Sequence, residues 1–205
     1  NPSYPEVIRI QGGKFHVQGI ALDKEKECMY TVELTKLVEI DRLESVDGTI
    51  KFLFELEDGQ AIESVLMKYH HGNSVCISSQ AGCRMGCKFC ASTLGGLIRN
   101  LKASEMLEQI YEIERITGES VSNVVVMGTG EPMDNYDNLV RFVRILSAKE
   151  GKHISVRNIT VSTCGLIGGI KKLAEEGLPL TLALSLHAPN DTIRKQLMPV
   201  ANSYS

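Results

Sequence analysis

Val75-Cys76-Ile77-Ser78-Ser79-Gln80-Ala81-Gly82-Cys83-Arg84-Met85-Gly86-Cys87-Lys88-Phe89-Cys90 runs from a short apolar segment straight into three cysteines spaced C-x₃-C-x₂-C. The apolar start, Val75 to Ser79, reads as a strand, so the cysteines fall on the loop at its C-terminal end. Three thiolates on one short loop can converge on a metal centre. On a four-iron cluster, three protein ligands leave one iron open to a substrate. A closed zinc site requires a fourth ligand, which His70 or His71 can supply, so zinc stays an alternative at this point. A set of buried, unliganded cysteines is the weaker alternative, because three so close together would not all face a core.

Downstream of this loop the pattern alternates. Ser104 reads as a helix N-cap, followed by Met106, Leu107, Ile110, Ile113 and Ile116 at helical period, with Gly118 closing the helix. Val121 to Met127 is an almost continuous apolar strand, as in a parallel sheet covered on both faces. Leu139 to Leu146 repeats the helical period, Ile159 to Ser162 is a strand, and Ile170 to Glu176 is a helix ending at Gly177. Leu180 to Leu186 is a further strand, and Asp191 opens another helix. Strands alternating with helices at this spacing predict an α/β fold built on a parallel sheet, with about four strand–helix steps. In such sheets chemistry gathers at the C-terminal ends of the strands. Cys83–Cys90, Gly128–Pro132, Ser162–Gly165 and Ser185–Pro189 all fall at such ends, which argues for one shared site.

Upstream, residues 49–56 alternate, Glu57-Asp58-Gly59 is a turn signal, and Ala61 to Met67 is the partner strand of a hairpin. Val7–Ile10 and Lys14–Val17 also alternate, around Gly12-Gly13. The expected organisation is an N-terminal segment of unclear assignment over 1–43, a small antiparallel β unit over 44–72 and the α/β core over 73–205.

Composition sets wider limits. The chain has 205 residues, 43% hydrophobic and 23% charged, with net charge −3. Disorder is excluded, since it requires low hydrophobicity and high net charge. No apolar run reaches the roughly 18–20 residues of a membrane helix, and no signal-peptide pattern opens the chain. The first residue is Asn, so the chain is read as a piece of a longer one. Six cysteines, four of them between 76 and 90, with no export signal, indicate a reducing compartment and a cytoplasmic location. Global charge gives no support for nucleic-acid binding. Arg84, Lys88, Arg99 and Lys102 form a local basic cluster that a solvated face explains nearly as well as RNA phosphate contact.

The three-cysteine spacing resembles that of radical S-adenosylmethionine (SAM) enzymes. In order, Cys76–Cys83, Gly86–Cys90, Arg99-Asn100-Leu101, Met127–Pro132, Val161-Ser162-Thr163 and Ser185–Pro189 resemble the dual-specificity RNA methyltransferases that methylate C2 of adenosine in 23S rRNA and tRNA. The resemblance runs from about residue 44 onward and implies a partial radical SAM (βα) barrel, truncated after about four βα units and preceded by the small antiparallel unit. It implies that Cys83, Cys87 and Cys90 ligate a [4Fe–4S] cluster whose open iron chelates SAM. Gly130 and Glu131 match the segment holding the methionine end of SAM, and Ser162, Ser185, Leu186 and His187 match further SAM contacts. Thr129 departs mildly from the family, where Met is frequent. Cys164 is read as a small buried hydrophobe.

Two catalytic roles are also implied. Glu63 matches the proton acceptor, although its strand pattern alone makes it a solvent-facing residue. Cys76 does not fit the ligand spacing and matches a resolving cysteine. In the family, a cysteine near the C-terminus is methylated by one SAM, a radical from a second SAM activates that methyl, and Cys76 would release product by forming a disulfide. That methyl-carrying cysteine lies beyond Ser205 in the family pattern, so turnover by these 205 residues alone is not expected. Residues 1–43 do not match the family's helical N-terminal domain. The implied partners are 23S rRNA, tRNA and an electron donor such as flavodoxin or ferredoxin, with no membrane and a monomeric state. A C8-methylating relative, a radical SAM enzyme of another substrate class and a non-catalytic zinc module are the rivals.

Overall fold

The computed structural model describes residues 20–23, 28–31 and 36–204. The strands expected at Val7–Ile10 and Lys14–Val17 lie outside the described residues. In chain order the strands and α-helices are β1 (Ile20–Asp23), β2 (Cys28–Thr31), β3 (Val38–Glu44), β4 (Ile50–Glu55), β5 (Ala61–Met67), β6 (Asn73–Ile77), β7 (Gln80–Gly82) and β8 (Leu97–Asn100). They continue with α1 (Ala103–Thr117), β9 (Val121–Val126), α2 (Tyr136–Ser147), β10 (Ile159–Thr163), α3 (Ile167–Glu175), β11 (Thr181–Leu184) and α4 (Asp191–Leu197).

Seven strands form one sheet in the order β11-β10-β9-β6-β5-β4-β3. β6, β9, β10 and β11 are parallel, and each lies beside its predecessor in sequence. β3, β4 and β5 continue the same sheet in antiparallel pairs. The fold is therefore α/β, with an antiparallel unit leading into a parallel one. No helix among the described residues is long and apolar enough to cross a membrane.

The alternation of β4 and β5 places Phe52, Phe54, Ile62 and Leu66 on one face, all buried. Val75, Ile77, Val124, Val126 and Val161 extend that face across the parallel strands. Met106, Leu107, Ile110 and Ile113 of α1 and Leu139, Phe142, Val143 and Leu146 of α2 close over it, forming the core. Burial of such side chains stabilises by roughly 1.5–3 kcal/mol each. The opposite face is different. Val65 pairs with Cys76, Cys76 with Val125, and Val125 with Thr160, and all four are only partly buried. Among the described residues β9 is thus covered on one face rather than both, because their helices pack on the side of Val124 and Val126.

Three local features depart from the sequence reading. α1 starts at Ala103, with Ser104 already inside it, because the Glu105 carboxylate accepts the Lys102 N–H at 2.7 Å. β11 spans Thr181–Leu184, shorter than the apolar run that marks it. β3 has no counterpart in the sequence reading, since its Asp41, Arg42 and Glu44 are charged and its register shifts between Glu39 and Asp41. Charge and a bulge are how an edge strand avoids further pairing.

Candidate functional site

The backbone after β6 is fastened before the first cysteine. Ser79 and Gln80 both donate from their backbone N–H to the Thr129 carbonyl, at 2.9 and 3.1 Å. The Gln109 side chain, fully buried on α1, accepts from the Ser78 N–H and Ser64 hydroxyl and donates to the Ser78 and Glu105 carbonyls. Its amide is satisfied on both ends, which ties α1 to the tip of β6. From that anchor the cysteine loop extends. Cys83 donates to the Gly96 carbonyl, and Lys88 donates to Leu197 at the end of α4, both at 2.9 Å.

Cys83, Cys87 and Cys90 line one cavity of about 230 Å³. Cys83 and Cys87 are buried and Cys90 partly so. Burial pushes the Cys83 and Cys87 thiols up from their ordinary range, with the Glu131 charge adding to the effect. A bound cation would oppose that shift, because it stabilises the thiolate form that ligates it. Among the described residues, no three His, Cys, Asp or Glu side chains are close enough together to hold a single metal ion. A multi-iron cluster spreads its irons over several positions, so its thiolates need not meet at one point. The histidines offered as a fourth zinc ligand are not at this cavity. His70 and His71 line a separate cavity with Asp47, Lys68 and Tyr69, at the other end of β6. Five strand residues intervene, roughly 16 Å of extended chain.

The loop after β9 forms the next wall. Gly130 has φ +111°, and a Cβ there would lie 2.6 Å from Gln80 Cβ and 2.7 Å from Ser79 Oγ. Only glycine allows this approach of two strand-end loops. Glu131 follows and is 4% exposed. Its two carboxylate oxygens accept from the Met133 N–H at 3.0 Å and the Cys164 N–H at 2.7 Å, and its own N–H donates to the Gln80 side chain at 2.8 Å. Glu131 is therefore an organiser of the loops after β9 and β10 as well as a charge on the cavity wall.

The third and fourth strand ends complete the cavity. The Ser162 and Ser185 hydroxyls lie 3.1 Å apart, linking the ends of β10 and β11. His187 has φ +54°, a left-handed conformation rare outside glycine, and its ring packs on Phe89 with centroids 4.6 Å apart. Cys164 also lines the cavity, so it is more than a core hydrophobe; burial, then the Glu131 charge, push its thiol up. Cys83, Cys87, Cys90, Gly130, Glu131, Ser162, Ser185 and His187 share this one space. Leu186 does not line it and is 52% exposed.

Glu63 and Cys76 lie outside the cavity, on the open face of the sheet. Val65 is the cross-strand partner of Cys76, and Glu63 lies two residues along β5 from it on the same face. The Glu63 carbonyl accepts from the Ser78 hydroxyl at 2.6 Å, which puts Glu63 at the strand end that carries the cysteine loop. Its carboxylate is exposed and ion-paired with Lys51. Cys76 is partly buried, and desolvation raises its thiol pKa, partly offset by a backbone hydrogen bond from Met127.

Sequence reasoning missed the supports. Gln80 donates to Asn100 at 2.7 Å and to Asp134 at 3.1 Å, and Asp134 also pairs with Arg84 of the cysteine loop. Arg99 pairs with Asp58 and Glu105. Two members of the basic cluster are thus engaged by carboxylates. Amides and paired charges spread over distant positions leave no local pattern that reveals them.

The radical SAM superfamily model matches residues 77–204. A probable dual-specificity RNA methyltransferase RlmN from Lachnoclostridium phytofermentans is 66% identical over 173 residues, covering 84% of this chain and 49% of that protein. A protein of the same name from Lachnospira eligens is 67% identical over 160 residues, covering 78% of this chain and 46% of that one. The crystal structure of a radical SAM methyltransferase from Sphaerobacter thermophilus superposes with a TM-score of 0.79 at 47% identity, over 83% of this chain and 51% of its own. The chain spans about half the length of the curated relatives it matches.

Proposed function

The chain belongs to the radical SAM superfamily, and from that premise we propose that it is the cluster- and SAM-holding part of an RNA methyltransferase acting on C2 of adenosine in 23S rRNA and tRNA. The observation that carries this reading is the convergence of three thiols with Gly130, Glu131, Ser162, Ser185 and His187 on one cavity at successive strand ends. The names of the relatives that are 66% and 67% identical supply the substrate class.

In this proposal Cys83, Cys87 and Cys90 hold a [4Fe–4S] cluster. Bound cluster and SAM supply the radical chemistry that a non-nucleophilic aromatic carbon requires. Gly130 lets the backbone approach the methionine end of SAM, and Glu131 presents its carboxylate to the ammonium group. Ser162 and Ser185 offer hydroxyls, and the strained His187 turn with Leu186 shapes the rim. Glu63 accepts the proton from C2 of the target base. Cys76 attacks the sulfur that carries the RNA-linked carbon; an S–S bond forms, the C–S bond breaks and its electron pair leaves with the product. The target adenosine is unpaired or splayed out, as RNA loops permit. The partners are those two RNAs and a low-potential electron donor such as flavodoxin or ferredoxin, in the cytoplasm.

The test is anaerobic reconstitution followed by iron, sulfide and zinc analysis, then mass analysis of nucleosides from RNA modified by the longer protein. About four irons per chain, lost in Cys83→Ala, Cys87→Ala and Cys90→Ala, with 2-methyladenosine as product, is the expected result. Stoichiometric zinc, or methylation at C8, overturns it.

A further inference from the structure

Arg194 is a buried cation that no carboxylate among the described residues ion-pairs. It lies on α4, whose first turn Asn190 caps by accepting the Ile193 N–H at 3.0 Å. It is 7% exposed. Among the described residues no acidic side chain forms an ion pair with it, and its Nη2 donates to the Cys164 carbonyl at 2.7 Å. Burying an uncompensated guanidinium is strongly unfavourable. A carbonyl needs only a neutral donor, so the hydrogen bond to Cys164 does not account for the charge.

The surroundings identify the missing anion. Cys164 packs with Cys87, Met198 and Val200 in one small cluster. The Lys88 N–H donates to Leu197 at 2.9 Å, which fastens the helix carrying Arg194 to the loop between Cys87 and Cys90. A Cβ on Gly165 would lie 3.3 Å from Arg194 Nη2, so the glycine makes room for the guanidinium behind the cavity wall. Glu131 binds the N–H of Cys164 and Arg194 its carbonyl, so the two opposite charges hold the same residue without pairing with each other.

An oxidised four-iron core carries two positive charges and three thiolates carry three negative ones. The assembly is therefore anionic, and more so after taking up an electron. Nearby charge is one of the levers that set such potentials. We infer that Arg194 is the buried counter-charge of the iron–sulfur cluster, a positioning residue that raises the cluster's reduction potential and so favours its one-electron reduction. This rests on the cluster reading above.

The experiment is a redox titration with titanium(III) citrate, a one-electron reductant, on anaerobically reconstituted protein, followed by the electron paramagnetic resonance signal of the reduced cluster. The variants are Arg194→Met, Arg194→Gln and Arg194→Lys, compared at matched iron content. At a fixed potential, the reduced-to-oxidised ratio should fall about tenfold in the Met and Gln variants, equivalent to ~59 mV for a one-electron couple. Arg194→Lys, which keeps the charge, should stay within about twofold of the parent. Unchanged midpoints in neutral variants that hold four irons overturn the inference. If the neutral variants fail to load iron while Arg194→Lys loads it, the charge requirement is supported; if Arg194→Lys fails as well, the guanidinium is a structural donor and the inference falls. A parent protein that binds no iron would instead overturn the cluster reading itself.

Discussion

Glu131 shows how one residue serves position and charge together. Both oxygens take backbone N–H groups from two different strand ends. Glu131→Gln turns one acceptor into a donor facing an N–H, which should destabilise the protein by about 1–3 kcal/mol in urea denaturation. Loss of SAM affinity in a Glu131 variant therefore combines a lost charge with a loosened cavity wall. Cys76 allows a cleaner separation, because it lies outside the cavity. In the longer protein Cys76→Ala should keep its iron and still cleave SAM, yet remain covalently attached to labelled RNA on a denaturing gel. A normal yield of free methylated RNA would show that Cys76 is only a packing residue, whose loss is worth about 1 kcal/mol. The cysteines were legible in sequence from their spacing, whereas Gly130, Ser162 and Ser185 were singled out by the family resemblance together with their place at strand ends. Gln80, Gln109 and Arg194 were not, since an amide or a guanidinium reveals its role only when its distant partners are known.

At the scale of the element, α1 carries a charge that its own fold opposes. Burial, and then the neighbouring Glu112, push the Glu108 carboxyl up to about 7, and its Oε2 has no hydrogen-bond partner among the described residues. The folded chain holds this proton more tightly than the unfolded chain. The resulting stability is fully present below the ordinary carboxylate range of about 4.5 and is lost as pH rises through about 7. Glu108→Gln should therefore gain on the order of 1 kcal/mol over the parent at pH 8, after allowance for solvent screening, and little or nothing at pH 5. Chemical denaturation at the two pH values checks this. Elements with strict periodicity, such as β5 at Ala61–Met67, could be delimited from sequence alone. The start of α1 could not, because Glu105 sets it while also pairing with Arg99 of β8. β3 escaped notice because an edge strand bearing charges and a bulge lacks the alternation that marks a half-buried one.

For the whole molecule, the two edges of the sheet contrast. β3 sets its exposed Val38, Ile40 and Leu43 among charged residues and a register shift, whereas β11 presents Leu182 at 39% and Leu184 at 54% exposure with no charge in its span. An apolar, unpaired edge is a template for pairing with another chain. This chain should associate with rising concentration, and Leu184→Lys should weaken that association, as light scattering after gel filtration would register. The monomeric state expected from sequence then holds only where β11 is covered. That a parallel sheet would form was evident from the alternation of strands and helices. That one of its faces stays open among the described residues was not, because Val121–Val126 is apolar at positions on both faces.

The strand order has a consequence for how the chain reaches its fold. β6, β9, β10 and β11 are laid down side by side in the order in which they are synthesised. Each new strand meets an edge that its predecessor has just completed, so pairing never waits for a segment still to be made. Loop-closure entropy is then met in small instalments, one helical crossover at a time. The cavity assembles along the same gradient. Its thiols come first along the chain, the Gly130–Glu131 wall second and the serine hydroxyls last, so pairing in chain order would present the cysteine loop before the rest of the site is complete.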